Sequence, residues 1–440
     1  MKSVRVSKQT TGLSGSLSFP GDKSLSHRAI IFGSLAEGTS HFTNVLAGED
    51  CLCTRKAFEG MGVRMESGKD DTELTIHGVG LKGLQAPKKQ LYLGNSGTSM
   101  RLLMGLLAGQ NFSTTLTGDP SLSNRPMKRV AEPLRLMGAK IEGKDNGNFA
   151  PITIHGSKLK GINYKSPIAS AQVKSAILLA GLYAEGQTCV AESEKSRDHT
   201  ESFLRHFGAR TQDEGLKISV EGNQKLEGRS FEVAGDISSA AFFMVMSLLL
   251  PESNVQFQSV LHNPTRTGIF SALEDMGVDF SAMRHRIGGV SGPEPMADFS
   301  LMSQKALKSF KIKKEQLPRL IDEIPILCVL ATQAEGESVI HEADELRVKE
   351  SDRIEAILSL LKPMGADIRA EGNTIYIKGP TKLKGAVVDS KKDHRIAMSG
   401  IIAGLIAEGE TTVRDIECID TSFPTFFKLL EQLKIPFQIG

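Results

Sequence analysis

The 440-residue chain has no tryptophan and only four tyrosines, and aromatic residues make up just 5% of it. So few rings argue against a platform on which nucleic-acid bases stack. Excess charge of one sign is missing as well: 53 Lys and Arg stand against 51 Asp and Glu, a formal net charge of +2. That leaves neither a nucleic-acid footprint nor a polybasic membrane surface, so any cationic site must be local. Cysteine is scarce and odd in number (Cys51, Cys53, Cys189, Cys328, Cys418). No disulfide scaffold follows, and reduced thiols in a cytoplasmic setting are expected. Cys51-x-Cys53 lacks a second Cys/His pair at zinc spacing, so no metal site is expected. "FFMVMSLLL" is too short to span a bilayer and "MKSVRVSKQTTG" lacks the apolar segment of a signal peptide, so no membrane association is expected. No G-x-x-x-x-G-K-[ST] occurs, which removes a P-loop kinase.

What the chain does have is glycine, 43 residues of it, and length enough for two domains. It also repeats itself. An apolar helix with a small or acidic polar cluster at its start recurs six times, in "GDKSLSHRAIIFGSLAEG", "GNSGTSMRLLMGLLAG", "SPIASAQVKSAILLAGLYAEG", "AGDISSAAFFMVMSLLL", "RLIDEIPILCVLATQAEG" and "KKDHRIAMSGIIAGLIAEG". Anchored at Ser24, Ser96, Ser170, Ser238, Asp322 and Asp393, the copies are 72, 74, 68, 84 and 71 residues apart. A second element interleaves with them: "FEGMGVRME", "LRLMGAKIE", "LRHFGARTQ", "LEDMGVDFS", "LKPMGADIR" and a degenerate "LEQLKIPFQ". Each of the five regular copies is a helix end closed by a left-handed glycine and followed by a strand. One unit therefore reads strand, helix, strand, helix, strand, strand, and three units fill each half, with a boundary near "EVAGDISSA".

The first helix of each unit is apolar on every side, so it is expected to be buried, with its polar residues gathered at the amino end. Unpaired N–H groups and the positive end of the helix dipole make such an end an anion site. The side chains there suit that purpose: Lys23 and Arg28, Arg101, Lys174, Asp322 and Glu323, His394 and Arg395. Nearby loops add Arg125, Lys128 and Arg129 in "SLSNRPMKR", Arg197 in "SRDHT", and Arg347, Lys349, Glu350 and Arg353 in "ELRVKESDR". Cations indicate binding of a strongly anionic small molecule, and the carboxylates among them supply groups for proton transfer. Asp22 reads as a plain helix cap.

Together "PGDKSLSHR", "LGNSGTSMR", "NRPMKR", "ASAQVKSA", "IDEIP", "LRVKESDR" and "DHRIAM" closely resemble the 5-enolpyruvylshikimate-3-phosphate synthase family, in order and over essentially the whole chain. "RPMKR" and "SAQVKSA" look like its class II branch. The resemblance implies a two-domain α/β enolpyruvyl transferase fold, an inside-out α/β barrel in which each domain is three βαβαββ repeats with buried parallel helices. The implied domains are 21–235 and 1–20 plus 236–440, with a double-crossover hinge near 20 and 235. The implied reaction transfers the enolpyruvyl group of phosphoenolpyruvate to the 5-hydroxyl of shikimate-3-phosphate, by addition and elimination through a tetrahedral intermediate, in the shikimate route to chorismate and the aromatic amino acids. No cofactor or metal is implied, and a monomer is expected.

By the same resemblance, shikimate-3-phosphate is held by Lys23, Ser24, Arg28, Ser170, Gln172, Ser196, Asp322 and Lys349. Phosphoenolpyruvate is held by Lys23, Asn95, Gly97, Arg125, Gln172, Arg353 and Arg395. Asp322, Glu350 and Lys23 are the expected catalytic groups. Two residues depart from the first-described branch: Thr421 stands where it carries a lysine that reaches phosphoenolpyruvate, with Lys391, Lys392 or Arg129 as possible substitutes, and His199 replaces a tyrosine. Gly97 implies room for the inhibitor glyphosate, whereas the class II-like motifs point to tolerance. The alternative acceptor, a UDP-sugar, goes with a Lys-Ser-x-x-Asn opening and a loop cysteine. This chain has Lys23-Ser24-Leu25-Ser26-His27-Arg28 and no cysteine in "SLSNRPMKR".

Overall fold

The protein is described from a computed structural model, which covers residues 2–286 and 292–440. The chain divides into two compact units. One is built on Gly21–Val233 and takes in a short segment that ends at Glu294; the other joins Met1–Pro20, Ala234–Ile287 and Pro295–Gly440.

Six helices form the cores, three to a unit. They are α1 (Lys23–Leu35), α2 (Gly97–Ala108) and α3 (Ala171–Gly181) in the first, and α4 (Ile237–Leu249), α5 (Ile324–Ala331) and α6 (His394–Ile406) in the second. Nearly every residue in them is buried; in α1 this holds without a break from Leu25 to Leu35. A helix with no polar face has no side to turn to water, so its neighbours must cover it all round. Small residues let them approach. A Cβ on Gly105 of α2 would lie 2.0 Å from the carbonyl oxygen of Ala176 in α3.

The amino ends are capped by side chains where the sequence offers them. Asp22 accepts from Leu25 N–H at 3.0 Å, Ser96 from Ser99 at 3.1 Å, Ser170 from Val173 at 3.5 Å, Asp236 from Ser238 at 3.0 Å and Asp393 from Arg395 at 2.9 Å. Each such cap contributes about 1 kcal/mol. The caps of α1 and α4 thus lie two residues before the repeat anchors Ser24 and Ser238. Only α5 has no side-chain cap; it begins at Ile324, with Pro325 in its first turn, where no N–H partner is needed.

Among the described residues, six four-stranded sheets lie around the helices, three per unit. Asn163–Lys165, Gln187–Ala191, Lys217–Glu221 and Thr211–Asp213 show the common order. The first two strands are parallel, as a buried helix between them requires, and the rest are antiparallel. The stop glycines of the second element, Gly62, Gly138, Gly208, Gly277 and Gly365, all have φ between +86° and +100°. In the degenerate sixth copy Lys434 takes that role at φ +58°.

Three sheets borrow a strand from a distant part of the chain. Ser14–Ser18 leads into α1 yet pairs in parallel with Asn254–Leu261 of the other unit's repeat, and Ser230–Glu232 leads into α4 yet pairs with Glu37–Thr43. In the last repeat Ser3–Ser7 lies between Glu410–Arg414 and Gln438–Ile439 and pairs antiparallel with both. No helix among the described residues is long and apolar enough to cross a membrane.

Gly105→Ala should destabilise the fold by about 1–3 kcal/mol, because the added methyl meets backbone that cannot rotate away. Urea unfolding measures this; an unchanged midpoint would show that α2 and α3 do not touch there.

Candidate active site

The first turns of α1, α2 and α3 are joined by one polar layer. His27 lies 2.8 Å from Thr54 Oγ1 and 3.5 Å from the α2 cap Ser96. Arg28 of α1 donates to Ser175 of α3 at 2.8 Å, and Arg101 of α2 donates to Gln172 of α3 at 2.6 Å. Gln172 in turn donates to Thr98 at 3.0 Å. The three amino ends therefore share one end of their unit, which concentrates their positive dipole ends.

Within that layer Lys23 pairs with Asp50 at 3.2 Å, and the Ser24 carbonyl accepts from Arg28 at 2.9 Å. Asn95 donates to Asp119 at 2.7 Å and accepts from the Arg125 guanidinium through its side-chain oxygen, with a further 3.3 Å bond to its carbonyl. A Cβ on Gly97 would stand 2.9 Å from Arg101 and 3.2 Å from Arg125. Glycine at this position lets two guanidinium groups close over the start of α2. Asn95, Gly97, Arg125 and Gln172 thus form one contiguous group, and Ser170 stays at its helix start as the cap of α3.

Lys174 does something other than face an anion. Its ammonium is buried, 2.6 Å from Glu192, 2.8 Å from Glu201 and 3.5 Å from the Ser196 carbonyl. Burial alone would lower its pKa, but Glu201 and Glu192 outweigh that and hold it above the ordinary lysine value. Burial pushes the Glu201 carboxyl up despite the lysine. Ser196 donates both its hydroxyl and its N–H to Glu192, so its proton is directed at a carboxylate in this conformation. His199 Nδ1 meets Glu294 at 2.9 Å, both residues buried. With Asp198 they bring three potential ligand atoms within 4.8 Å of one another. Glu294 lies 95 residues away in sequence, in no motif, and nothing in the chain signals it.

In the second unit a charged network links the starts of α5 and α6. Arg353, fully buried, donates to Asp393 at 2.8 Å, to Glu350 at 2.6 Å and to Asp322 at 3.2 Å. Lys349 stands 3.7 Å from Asp322, and Arg395 donates to the Asp322 carbonyl at 3.0 Å. All five residues expected from this half, Asp322, Lys349, Glu350, Arg353 and Arg395, are therefore neighbours. Burial would lower the Arg353 pKa, but Asp393, Glu350 and Asp322 reverse the effect and hold it well above the usual arginine value. Three carboxylates and three cations leave the group balanced in charge. Asp393, marked in the sequence only as a helix anchor, is the residue that ties Arg353 to α6. Arg347 turns away from this group, to Asp352 at 2.7 Å and the Gly372 carbonyl at 2.8 Å.

The sequence profile of the family described as EPSP synthase (3-phosphoshikimate 1-carboxyvinyltransferase) matches residues 7–430. The 3-phosphoshikimate 1-carboxyvinyltransferase of Citrifermentans bemidjiense is 52% identical over 417 residues, covering 95% of this chain and 96% of that one. A solved structure of EPSP synthase from Acinetobacter baumannii superposes with a TM-score of 0.89 at 46% identity, covering all of both chains. The chain belongs to the EPSP synthase family. The enolpyruvyl transferase NikO of Streptomyces tendae, with a TM-score of 0.79 at 16% identity and coverage of 100% and 99%, shares the fold alone.

As a member of the EPSP synthase family, the chain is mixed α/β with the enolpyruvyl transferase fold. Its Thr421 donates to the Cys418 carbonyl at 2.7 Å, closing its own turn. The proposed substitutes Lys391, Lys392 and Arg129 are all exposed, the two lysines on left-handed backbone.

One consequence of the buried layer is a dependence of stability on pH. His27 has its pKa pushed down to about 3 by burial, helped by Lys23 and Arg28. It stays neutral in the fold, whereas in the unfolded chain it takes a proton below its ordinary 6.5. Stability is therefore lost as pH falls from 6.5 toward 3, by up to about 1.4 kcal/mol per pH unit. Between pH 7 and pH 4.5, His27→Gln should lose about 2 kcal/mol less unfolding free energy than the parent chain. Urea titrations at the two pH values test this; equal losses would mean that His27 titrates normally.

Proposed function

We propose that the chain is a 3-phosphoshikimate 1-carboxyvinyltransferase, transferring the enolpyruvyl group of phosphoenolpyruvate to the 5-hydroxyl of shikimate-3-phosphate and releasing phosphate. The observation that carries this reading is the group Asp322–Lys349–Glu350–Arg353–Arg395. Two half-buried carboxylates and three cations are gathered at helix starts, in a chain about half identical to an enzyme of that name.

In the addition step the 5-hydroxyl oxygen bonds to C2 of phosphoenolpyruvate while C3 takes a proton. In the elimination step C3 gives that proton up and the C2–O bond to phosphate breaks. Glu350 is assigned the proton to and from C3. Its carboxylate is held by Arg353, which fixes its direction. Asp322 and Lys23 are assigned the hydroxyl proton. Lys23, Ser24, Arg28, Ser170, Gln172, Ser196, Asp322 and Lys349 are assigned to shikimate-3-phosphate. Lys23, Asn95, Gly97, Arg125, Gln172, Arg353 and Arg395 are assigned to phosphoenolpyruvate. Guanidinium forks and helix ends suit phosphate and carboxylate groups and stabilise charge that develops on oxygen.

Phosphate release should occur with phosphoenolpyruvate plus shikimate-3-phosphate and not with a UDP-sugar; the reverse preference overturns the reading. Arg125→Ala should raise the KM for phosphoenolpyruvate much more than that for shikimate-3-phosphate, and an equal rise in both would displace Arg125 from its assignment. Glu350→Gln should bind both substrates but turn over about 10²-fold more slowly or worse. Near-normal turnover in this variant would remove Glu350 from the chemistry.

A further inference from the structure

Buried cations in this protein are, as a rule, matched by carboxylates. Lys174 has Glu192 and Glu201, Arg266 has Asp236 and Glu323, Arg353 has Asp393, Glu350 and Asp322, and Arg395 has Asp322, all within 4.0 Å. Arg28 is equally buried, but the groups it bonds directly are all neutral, and the carboxylates of Glu201, Asp22 and Glu294 act on it only through space. Its Nε donates to Thr200 Oγ1 at 2.8 Å, Nη2 to Ser175 Oγ at 2.8 Å and Nη1 to the Ser24 carbonyl at 2.9 Å. Burial lowers its pKa to about 10, so it remains charged at neutral pH. A guanidinium carries five N–H groups, so one on each terminal nitrogen is left outside these bonds. Two such donors suit an oxyanion bound through two oxygens.

The neutral partners come from elsewhere in the unit. Ser175 lies on α3, and Thr200 is the second residue of the helix His199–His206. Both hydroxyls are buried and 2.6 Å apart, so they present one paired acceptor to the same side chain. Had packing alone been needed there, an alanine and a valine would serve without polar atoms to satisfy.

We propose that Thr200 and Ser175 are positioning residues for the shikimate-3-phosphate substrate: they aim Arg28 through neutral hydroxyls that form no ion pair with it, so that its charge and two donors remain for the anion. This rests on the assignment of Arg28 to shikimate-3-phosphate. Removing the Thr200 hydroxyl leaves the Arg28 Nε–H buried without an acceptor, and the guanidinium must turn or take in water.

The test is calorimetric titration of the full-length protein with shikimate-3-phosphate, alongside steady-state kinetics. Thr200→Val, close in shape, should weaken binding about tenfold, the usual scale for a hydrogen bond to a charged group. The KM for phosphoenolpyruvate should change less than about threefold. Thr200→Ser, which restores the hydroxyl, should recover binding, a result that a purely packing role for the methyl would not give. Added to Arg28→Ala, Thr200→Val should cost nothing more, because the group it aims is gone. Ser175→Ala offers the same comparison if Thr200→Val does not fold. The proposal is overturned if Thr200→Val and Ser175→Ala leave affinity unchanged while Arg28→Ala weakens it, or if the losses simply add. If Arg28→Ala itself leaves affinity unchanged, the assignment of Arg28 fails and the positioning role fails with it.

Discussion

A helix buried on every side can bring polar groups out of the core only at its ends, and much of this protein follows from that constraint. Six such helices have no hydrophilic face, so their unpaired N–H groups, their caps and their few charged residues gather at the amino ends. Side-chain bonds then tie those ends together within each unit: His27, Arg28 and Arg101 in one, Arg353 and Arg395 in the other. The fold concentrates positive helix ends and cations, which is the field an anionic substrate needs.

The cost of placing charge at such sites is desolvation, and the protein meets it in two ways. Where carboxylates surround the cation, as at Arg353 and Lys174, the group is neutral as a whole and holds its members in place. Where the direct bonds go to hydroxyls and a carbonyl, as at Arg28, no carboxylate among the described residues claims the guanidinium as an ion-pair partner. The partners of a cation therefore say more about its task than its position at a helix start does. Arg28 and Lys174 sit on equivalent helices of the first and third repeats, yet Lys174 is paired with internal carboxylates and Arg28 bonds only neutral groups.

Much of the architecture was legible before any coordinates. The period of the apolar helices, the stop glycines and the caps are local signals, each caused by the backbone of its own few residues. The resemblance of seven motifs pointed to the groups around Asn95, Gly97 and Arg125 and around Asp322 and Glu350, because each of those residues lies beside a helix start within its own motif. The sequence was less informative where a partner comes from far away. Glu294 reaches His199 across 95 residues, and Thr200 reaches Arg28 across 172. The strands Ser14–Ser18 and Ser230–Glu232 each precede a helix of one unit and complete a sheet of the other.

What the sequence determined by itself was periodicity: which segments are buried helices, where they start and stop, and that charge collects at their starts. Such features depend on neighbours three or four residues apart, which a linear string displays. What only the tertiary structure decided was pairing: that Lys174 is quenched by Glu192 and Glu201, that Arg353 is ringed by three carboxylates, and that Arg28 is aimed by two hydroxyls. Whether a buried cation serves a ligand or the core depends on which distant side chains the packing brings within hydrogen-bonding reach, and no spacing along the chain encodes that distance.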